Sequence, residues 1–355
     1  MYKKNKSFQN VKKRRLEIAQ QAASRTLNGS GASPDLPPLP VGDEDSLGTL
    51  FSHRYGALPY GNIYMSSYRN DEVRQKGLGP FLVSLNDEQA LSIFQYLDGE
   101  SLSKVVQCSR YLYVAGHHDD LWRDITLRKY GSTGFTYLKS WKDTFISSEV
   151  KSMDYENNCK GDTFKPHQPI KMKNIYSDTL FRSWLCRNFK IQESWTKVNN
   201  VCTENASTLT IEKFLKYEES NTPLLVKGAT NEWPAVQKWN REYLKMQSKG
   251  ISFRATSGAA PLPAQFTIED YAKYCDEVSE EAPLYLFDRT FAKNCPGLLD
   301  DYLDALKKSC PFFDDEAHHG HDLFSLLGKD KRPDHRWIII GPKRSFSNFH
   351  IDPNA

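Results

Sequence analysis

Trp337-Ile338-Ile339-Ile340-Gly341-Pro342, running on to Phe349-His350-Ile351-Asp352-Pro353, joins an apolar run to a histidine and a carboxylate two residues apart. Strand side chains alternate between faces, so residues i and i+2 share one. At a strand end, His350 and Asp352 would offer one imidazole and one carboxylate to a single ion, with Phe349 and Ile351 turned to the other side. Trp337 to Ile340 reads as a preceding buried strand. Non-heme Fe(II) chemistry uses such a pair together with a second histidine and open coordination positions for cosubstrate and oxygen. Standing alone, H-x-D fits a surface His-Asp hydrogen bond equally well.

The remaining composition sets the frame. At 355 residues there is room for two domains and flexible segments, taking roughly 150 residues per domain. A net charge of +3 with 39% apolar residues argues neither for nor against nucleic acid. The 7 cysteines are odd in number, scattered and without a C-x-x-C pair, which fits buried thiols in a reducing compartment. No apolar run reaches the roughly 18 to 20 residues that span a bilayer, and the N-terminus has no signal-peptide core. A nuclear or cytoplasmic protein with no membrane partner is expected.

Lys3, Lys4, Lys6 and Lys12-Lys13-Arg14-Arg15 have the composition of a nuclear import signal, of an arm contacting nucleic acid, or of a solvated tail. Asn28 to Gly48, with Pro34, Pro37, Pro38 and Pro40, holds too little apolar surface to offset chain entropy. Residues 1–76 are expected to form a disordered basic and Pro/Gly-rich tail. Helical spacing begins after Leu85: Asn86 is a candidate N-cap with Gln89 three residues on, and Ala90, Leu91, Phe94 and Leu97 trace one face. Asp98-Gly99 reads as its end. Leu102, Val105, Val106 and Ser109 mark a second helix; Leu121, Trp122 and Ile125 mark a third.

Leu82-x-x-Leu85, then EQALSIFQYLDGESLSKVVQCSRYL and Leu121-Trp122-Arg123, resembles an F-box, over Leu78 to Gly131. The resemblance implies docking on a Skp-type adaptor and a cullin ubiquitin ligase, with Leu82, Leu85, Ile93, Phe94 and Leu97 as candidate anchors. Periodicity cannot separate anchors from bundle core. The F-box is placed at 77–131 and a helical connector at 132–200. The connector's aromatics, Trp141, Trp184 and Trp195 among them, are expected to wedge between two domains as core.

A second domain, 201–355, opens with a helix around Ile211 to Tyr217, and Thr222 to Gly228 reads as a turn followed by a buried strand. The strings PLLVKGATNEWPAVQKW, PLYLFD and RWIIIGPKRSFSNFHIDPNA together resemble the first part of a JmjC-type cupin domain, similar to the arginine-demethylase and lysyl-hydroxylase branch. The resemblance implies an α+β fold: a small all-α bundle followed by part of a double-stranded β-helix barrel. It also implies Fe(II) on His350 and Asp352 and 2-oxoglutarate contacted by Ser347, a hydroxyl position usually threonine, and by Tyr285. Tyr285 equally fits a core aromatic with a satisfied hydroxyl. His318, His319 and His321, among Asp314, Asp315, Glu316 and Gly320, read as a polar loop or a metal site.

In the JmjC pattern, the distal histidine and the lysine that pairs with the cosubstrate lie beyond Asp352. The expectation is therefore a protein hydroxylase or demethylase acting on a histone or another nuclear protein, inactive as a chain ending at Ala355. The alternative is a non-catalytic adaptor that recruits substrates to a Skp-cullin-F-box ligase.

Overall fold

The computed structural model describes residues 53–60, 72–157, 165–189, 191–258, 260, 262–302, 331, 336–348, 350 and 351. Its helical half starts with α1 (Glu72–Leu82), broken at Gly79, where φ is +69°. α2 (Asp87–Phe94) opens in a full capping box. Asn86 Oδ1 accepts from the Gln89 amide at 2.8 Å, and Gln89 Oε1 accepts from the Asn86 amide at 3.0 Å. Asp98 belongs to the next helix: it caps α3 (Gly99–Cys108), accepting from the Ser101 amide at 2.7 Å. Ser109 does not continue α3. Its extended backbone breaks the helix, and its hydroxyl caps α4 (Arg110–Ala115), accepting from the Leu112 amide at 3.1 Å and donating to the Gly77 carbonyl at 2.8 Å.

α5 (Asp119–Tyr130) buries Leu121, Trp122 and Ile125. The Trp122 indole nitrogen donates to the Gly116 carbonyl at 2.8 Å, so its one polar atom is satisfied inside the core. Truncating so large a buried side chain costs about 3–5 kcal/mol. The bundle is finished by a short parallel pair, β1 (Ala57–Leu58) with β2 (Ile175–Tyr176), which buries Tyr55, Ala57 and Ile175. Residues 53–60 and 72–76 are thus folded where a disordered tail was expected, because Tyr55 and Ala57 supply apolar surface that the Pro-rich stretch lacks. The basic cluster and residues 28–48 lie outside the described residues.

The connector contributes α6 (Trp141–Asn157) and α7 (Asp178–Asn188). Its first residues form the wedge between the halves. Phe135 meets Phe266 edge-on at 5.8 Å, Tyr137 meets Tyr274 at 4.7 Å, and the Gln265 amide donates to the Ser132 carbonyl at 2.8 Å. Trp184 and Trp195 are only partly buried. The guanidinium of Arg187 covers Trp184, 4.4 Å from its ring centre.

The second half begins with β3 (Cys202–Asn205), α8 (Ile211–Glu219) and β4 (Leu224–Lys227), the two strands pairing in parallel. β4 was expected to be buried, yet Leu225 is 46% exposed. Among the described residues its sheet holds only β3, so half its face meets no layer. Next come α9 (Arg241–Gln247), β5 (Ser252–Thr256), β6 (Ala264–Thr267), α10 (Ile268–Glu277), β7 (Tyr285–Asp288) and β8 (Ile338–Ile340). These last four strands form one antiparallel sheet in the order β6-β5-β7-β8. α10 packs on it, and the Tyr271 hydroxyl donates to the Ile340 carbonyl at 2.8 Å, pinning the edge strand.

The architecture is a helical bundle beside a mixed helix and strand half. The described strands form one open four-stranded sheet and two separate two-stranded pairs, and the expected first part of a double-stranded β-helix barrel is not confirmed among them. β8 is an edge strand with Ile338 buried and Ile339 60% exposed, so the Trp337 to Ile340 run is half-buried. Cys108, Cys186 and Cys202 are exposed free thiols and only Cys295 among the described cysteines is buried, against the expectation of buried thiols. No helix among the described residues is long and apolar enough to cross a membrane.

Candidate functional site

β8 stops at Ile340 because Gly341-Pro342 removes a ladder donor and starts a turn. The turn closes with the Ser345 amide donating to the Pro342 carbonyl at 3.1 Å, and Arg344 sits at φ +74°. A Cβ at Gly341 would fall 2.6 Å from the Ser345 Cβ and 3.2 Å from the Tyr285 Cβ. The first of these distances leaves no room for a side chain, so the turn itself requires glycine there. A Cβ at Gly258, just past β5, would lie 2.9 Å from Asn348 Oδ1. Residues 345–348 therefore come back over the end of the sheet where Thr256 of β5 pairs with Tyr285 of β7.

Three of the expected site residues lie among the described residues, and the reason for one changes. Tyr285 is half-buried on β7, while Ser347 and His350 are exposed on the returning segment. His350 lies outside any strand, ten residues beyond the end of β8. Strand alternation is thus not what orients its side chain. Asp352 lies outside the described residues, as do His318, His319 and His321. His350 Nδ1 is 2.5 Å from the Asn348 carbonyl; a carbonyl only accepts, so Nδ1 is the donor, and in the neutral ring the lone pair is then on Nε2. Metal-ligating imidazoles are oriented by such a bond, so the donor chemistry at His350 fits a transition-metal ligand. No cluster of three or more His, Cys, Asp or Glu with metal-binding geometry occurs among the described residues.

Beneath the site segment is a buried charge assembly that sequence reading missed. Arg344 donates from Nε and Nη2 to the Glu280 carbonyl at 3.2 and 3.0 Å, and from Nη1 to the Arg187 carbonyl at 3.2 Å. Arg187 in turn donates to the Ser279 carbonyl at 2.5 Å. The Glu280 side chain is buried and accepts from the Tyr274 hydroxyl at 2.8 Å; burial pushes its carboxyl up to about 8 against the pull of Arg123. Arg123, wholly buried on α5, lies 2.7 Å from Asp120 Oδ1 and 3.4 Å from Asp124 Oδ1. The sequence gives no sign of which carbonyls an arginine at position 344 would reach.

In the helical bundle, the expected partner-binding residues separate. Phe94 is in the core at 2% exposure, so it is not available as a surface anchor, while Ile93 is 40% exposed. Leu82, Leu85 and Leu97 are half-buried. Phe81 and Tyr96, which sequence reading did not single out, are exposed.

Residues 85–128 match the F-box-like family model. The chain is 33% identical over 305 residues to the arginine-specific demethylase JMJ22 of Arabidopsis thaliana, covering 86% of this chain and 55% of that protein. It is 27% identical over 289 residues to the lysine-specific demethylase JMJ21 of Arabidopsis thaliana, covering 81% and 28%. With the bifunctional arginine demethylase and lysyl-hydroxylase psr-1 of Caenorhabditis elegans it shares 32% identity over 153 residues, 42% of this chain and 35% of that protein. The chain spans about half the length, or less, of these curated relatives.

Proposed function

We propose that this chain, which carries an F-box-like domain and is homologous over much of its length to JmjC demethylases and a lysyl-hydroxylase, belongs to an Fe(II)- and 2-oxoglutarate-dependent protein hydroxylase or demethylase that the F-box links to a ubiquitin ligase. The observation that carries the reading is the presence in one chain of F-box-like helices and a demethylase-like segment ending in the His350 pair. The basic N-terminal cluster favours a nuclear protein substrate, a histone among the candidates.

Within this reading, His350 through Nε2 and Asp352 through its carboxylate would hold the metal. The Ser347 hydroxyl and the Tyr285 phenol would hydrogen-bond the cosubstrate. Fe(II) and 2-oxoglutarate, when bound, supply the oxidising power for hydroxylating a C–H bond. The chain's own contribution is orientation: the Asn348 carbonyl sets the imidazole tautomer, and the Gly258 and Gly341 approaches bring the segment against the sheet. A third protein ligand is not assigned among residues 1–355, and the proposed activity is that of the complete ligand set. On the F-box side, Phe81, Ile93 and Tyr96, with the half-buried Leu82, Leu85 and Leu97, would face a Skp-type adaptor.

The test is 2-oxoglutarate turnover to succinate, with methylated-arginine and lysine peptides, by the longest available form of the protein and by residues 1–355. Substrate-stimulated succinate that disappears without Fe(II) supports the reading. Its absence from the longest form, with adaptor binding intact, would establish the non-catalytic adaptor instead.

A further inference from the structure

The segment that carries Ser347 and His350 presents most of its side chains to solvent. Ser347, Phe346 and His350 are exposed, and an open cleft of about 520 Å³ runs beneath Ile340 to Arg344, walled on its far side by Leu244, Tyr271 and Cys275. Against that exposure stands one side chain with several directed bonds. Arg344 holds a left-handed backbone conformation that an L-residue rarely adopts. Its guanidinium reaches 64 residues back to the Glu280 carbonyl with two N–H groups and 157 residues back to the Arg187 carbonyl with a third. A planar fork suits two carbonyl acceptors in different directions, and three of its five N–H groups find main-chain partners here.

We propose that Arg344 is the positioning residue of the candidate site: by clamping the turn onto the Glu280 and Arg187 carbonyls it sets the path of residues 345–348, and with it where Ser347 and the His350 imidazole stand. Its anchors are not local. Glu280 is fixed by Tyr274 and faces Arg123 of the F-box-like bundle, and Arg187 belongs to the connector helix α7. The geometry of the site is thereby referred to the bundle and connector as well as to the sheet beside it. That this segment is a cosubstrate and metal site rests on the proposed function; that Arg344 orders it does not.

The experiment compares residues 1–355 with Arg344→Ala and Arg344→Lys by hydrogen–deuterium exchange and by the ¹⁵N shifts of the His350 ring, assigned with His350→Gln. Arg344→Ala is expected to raise exchange in 341–351 about tenfold, leave 119–130 and 252–288 within about twofold, and move His350 off the Nδ1–H tautomer. Arg344→Lys, which keeps the charge but not the fork, restores part of both signals. Unchanged exchange and tautomer in Arg344→Ala would overturn the proposal. So would a rise shared equally by all three regions, since the arginine would then only hold the fold. If Arg344→Ala is insoluble, Arg344→Lys decides alone: a wild-type pattern overturns the proposal and a loss confined to 341–351 supports it. Absence of succinate formation in every form removes the proposed function and leaves these readouts standing.

Discussion

Ile93 and Phe94 are neighbours on α2 that face opposite ways, the first 40% exposed and the second 2%. One step along a helix turns the side chain by about 100°, enough to carry it from surface to core. Ile93→Asp should leave stability within about 0.5 kcal/mol and weaken binding to a Skp-type adaptor about tenfold or more, measured by calorimetric titration. Phe94→Ala should instead cost about 3–5 kcal/mol in denaturant unfolding. Equal adaptor affinity for Ile93→Asp and wild type would remove α2 from the proposed interface.

Asp87 joins three parts of the bundle. Its Oδ1 accepts from Arg74 Nη2 at 3.0 Å and from the Tyr111 hydroxyl at 2.5 Å, and its Oδ2 accepts from the Ser177 hydroxyl that caps α7. Asp87→Ala leaves a shielded guanidinium without its carboxylate, a loss of about 2–4 kcal/mol. Chemical denaturation should show that drop, and Asp87→Asn should recover part of it through its remaining acceptor. A change under about 0.5 kcal/mol for the alanine variant would mean that the joint is redundant.

Glu280 gives the fold a pH dependence of known sign. Its folded pKa, about 8, lies above the unfolded value of 4.5, so its contribution is complete below about pH 4.5 and lost as pH rises toward 8. His117 and His53, pushed down by burial to about 3 and about 4, act in the other direction, losing stability as pH falls below 6.5. Glu280→Gln keeps an acceptor for Tyr274 and cannot ionise. Thermal melts should find it close to wild type at pH 5 and more stable at pH 8, the gap growing by roughly 1 kcal/mol per pH unit. A gap that does not vary with pH would show Glu280 to be ionised in the fold, paired with Arg123.

In the longest available chain, His350→Ala and Asp352→Ala should each reduce 2-oxoglutarate turnover at least about 100-fold. Ser347→Thr should keep activity, because both side chains carry one donor and two acceptor lone pairs, whereas Ser347→Ala should raise the KM for 2-oxoglutarate. In cells, unchanged substrate ubiquitination in the His350 and Asp352 variants would favour the adaptor reading.

What could be read from residues alone followed the range of the forces involved. The Asn86 and Gln89 cap and the Leu121, Trp122 and Ile125 face are local patterns, and they appear where spacing placed them. Asp98 and Ser109 were misread because one polar residue can end a helix or begin the next, and only the following backbone decides. The candidate site was half legible. His350 was named, but its orientation comes from the Asn348 carbonyl and a turn at Arg344. Arg344 itself was invisible, since its partners are 64 and 157 residues away and are main-chain atoms that no residue type announces.

The parallel pairing of β1 with β2 bears on how the protein is made. Tyr60 donates its amide to Asp178, 118 residues further on, so the first strand can dock only after that much more chain has left the ribosome. At a synthesis rate of about 5–20 residues per second, the wait is on the order of 6–24 s. Tyr55 can meet Tyr113 and His117 part-way through that interval, but Ala57 lacks its partner Ile175 until near its end, which leaves the β1 edge open on the nascent polypeptide.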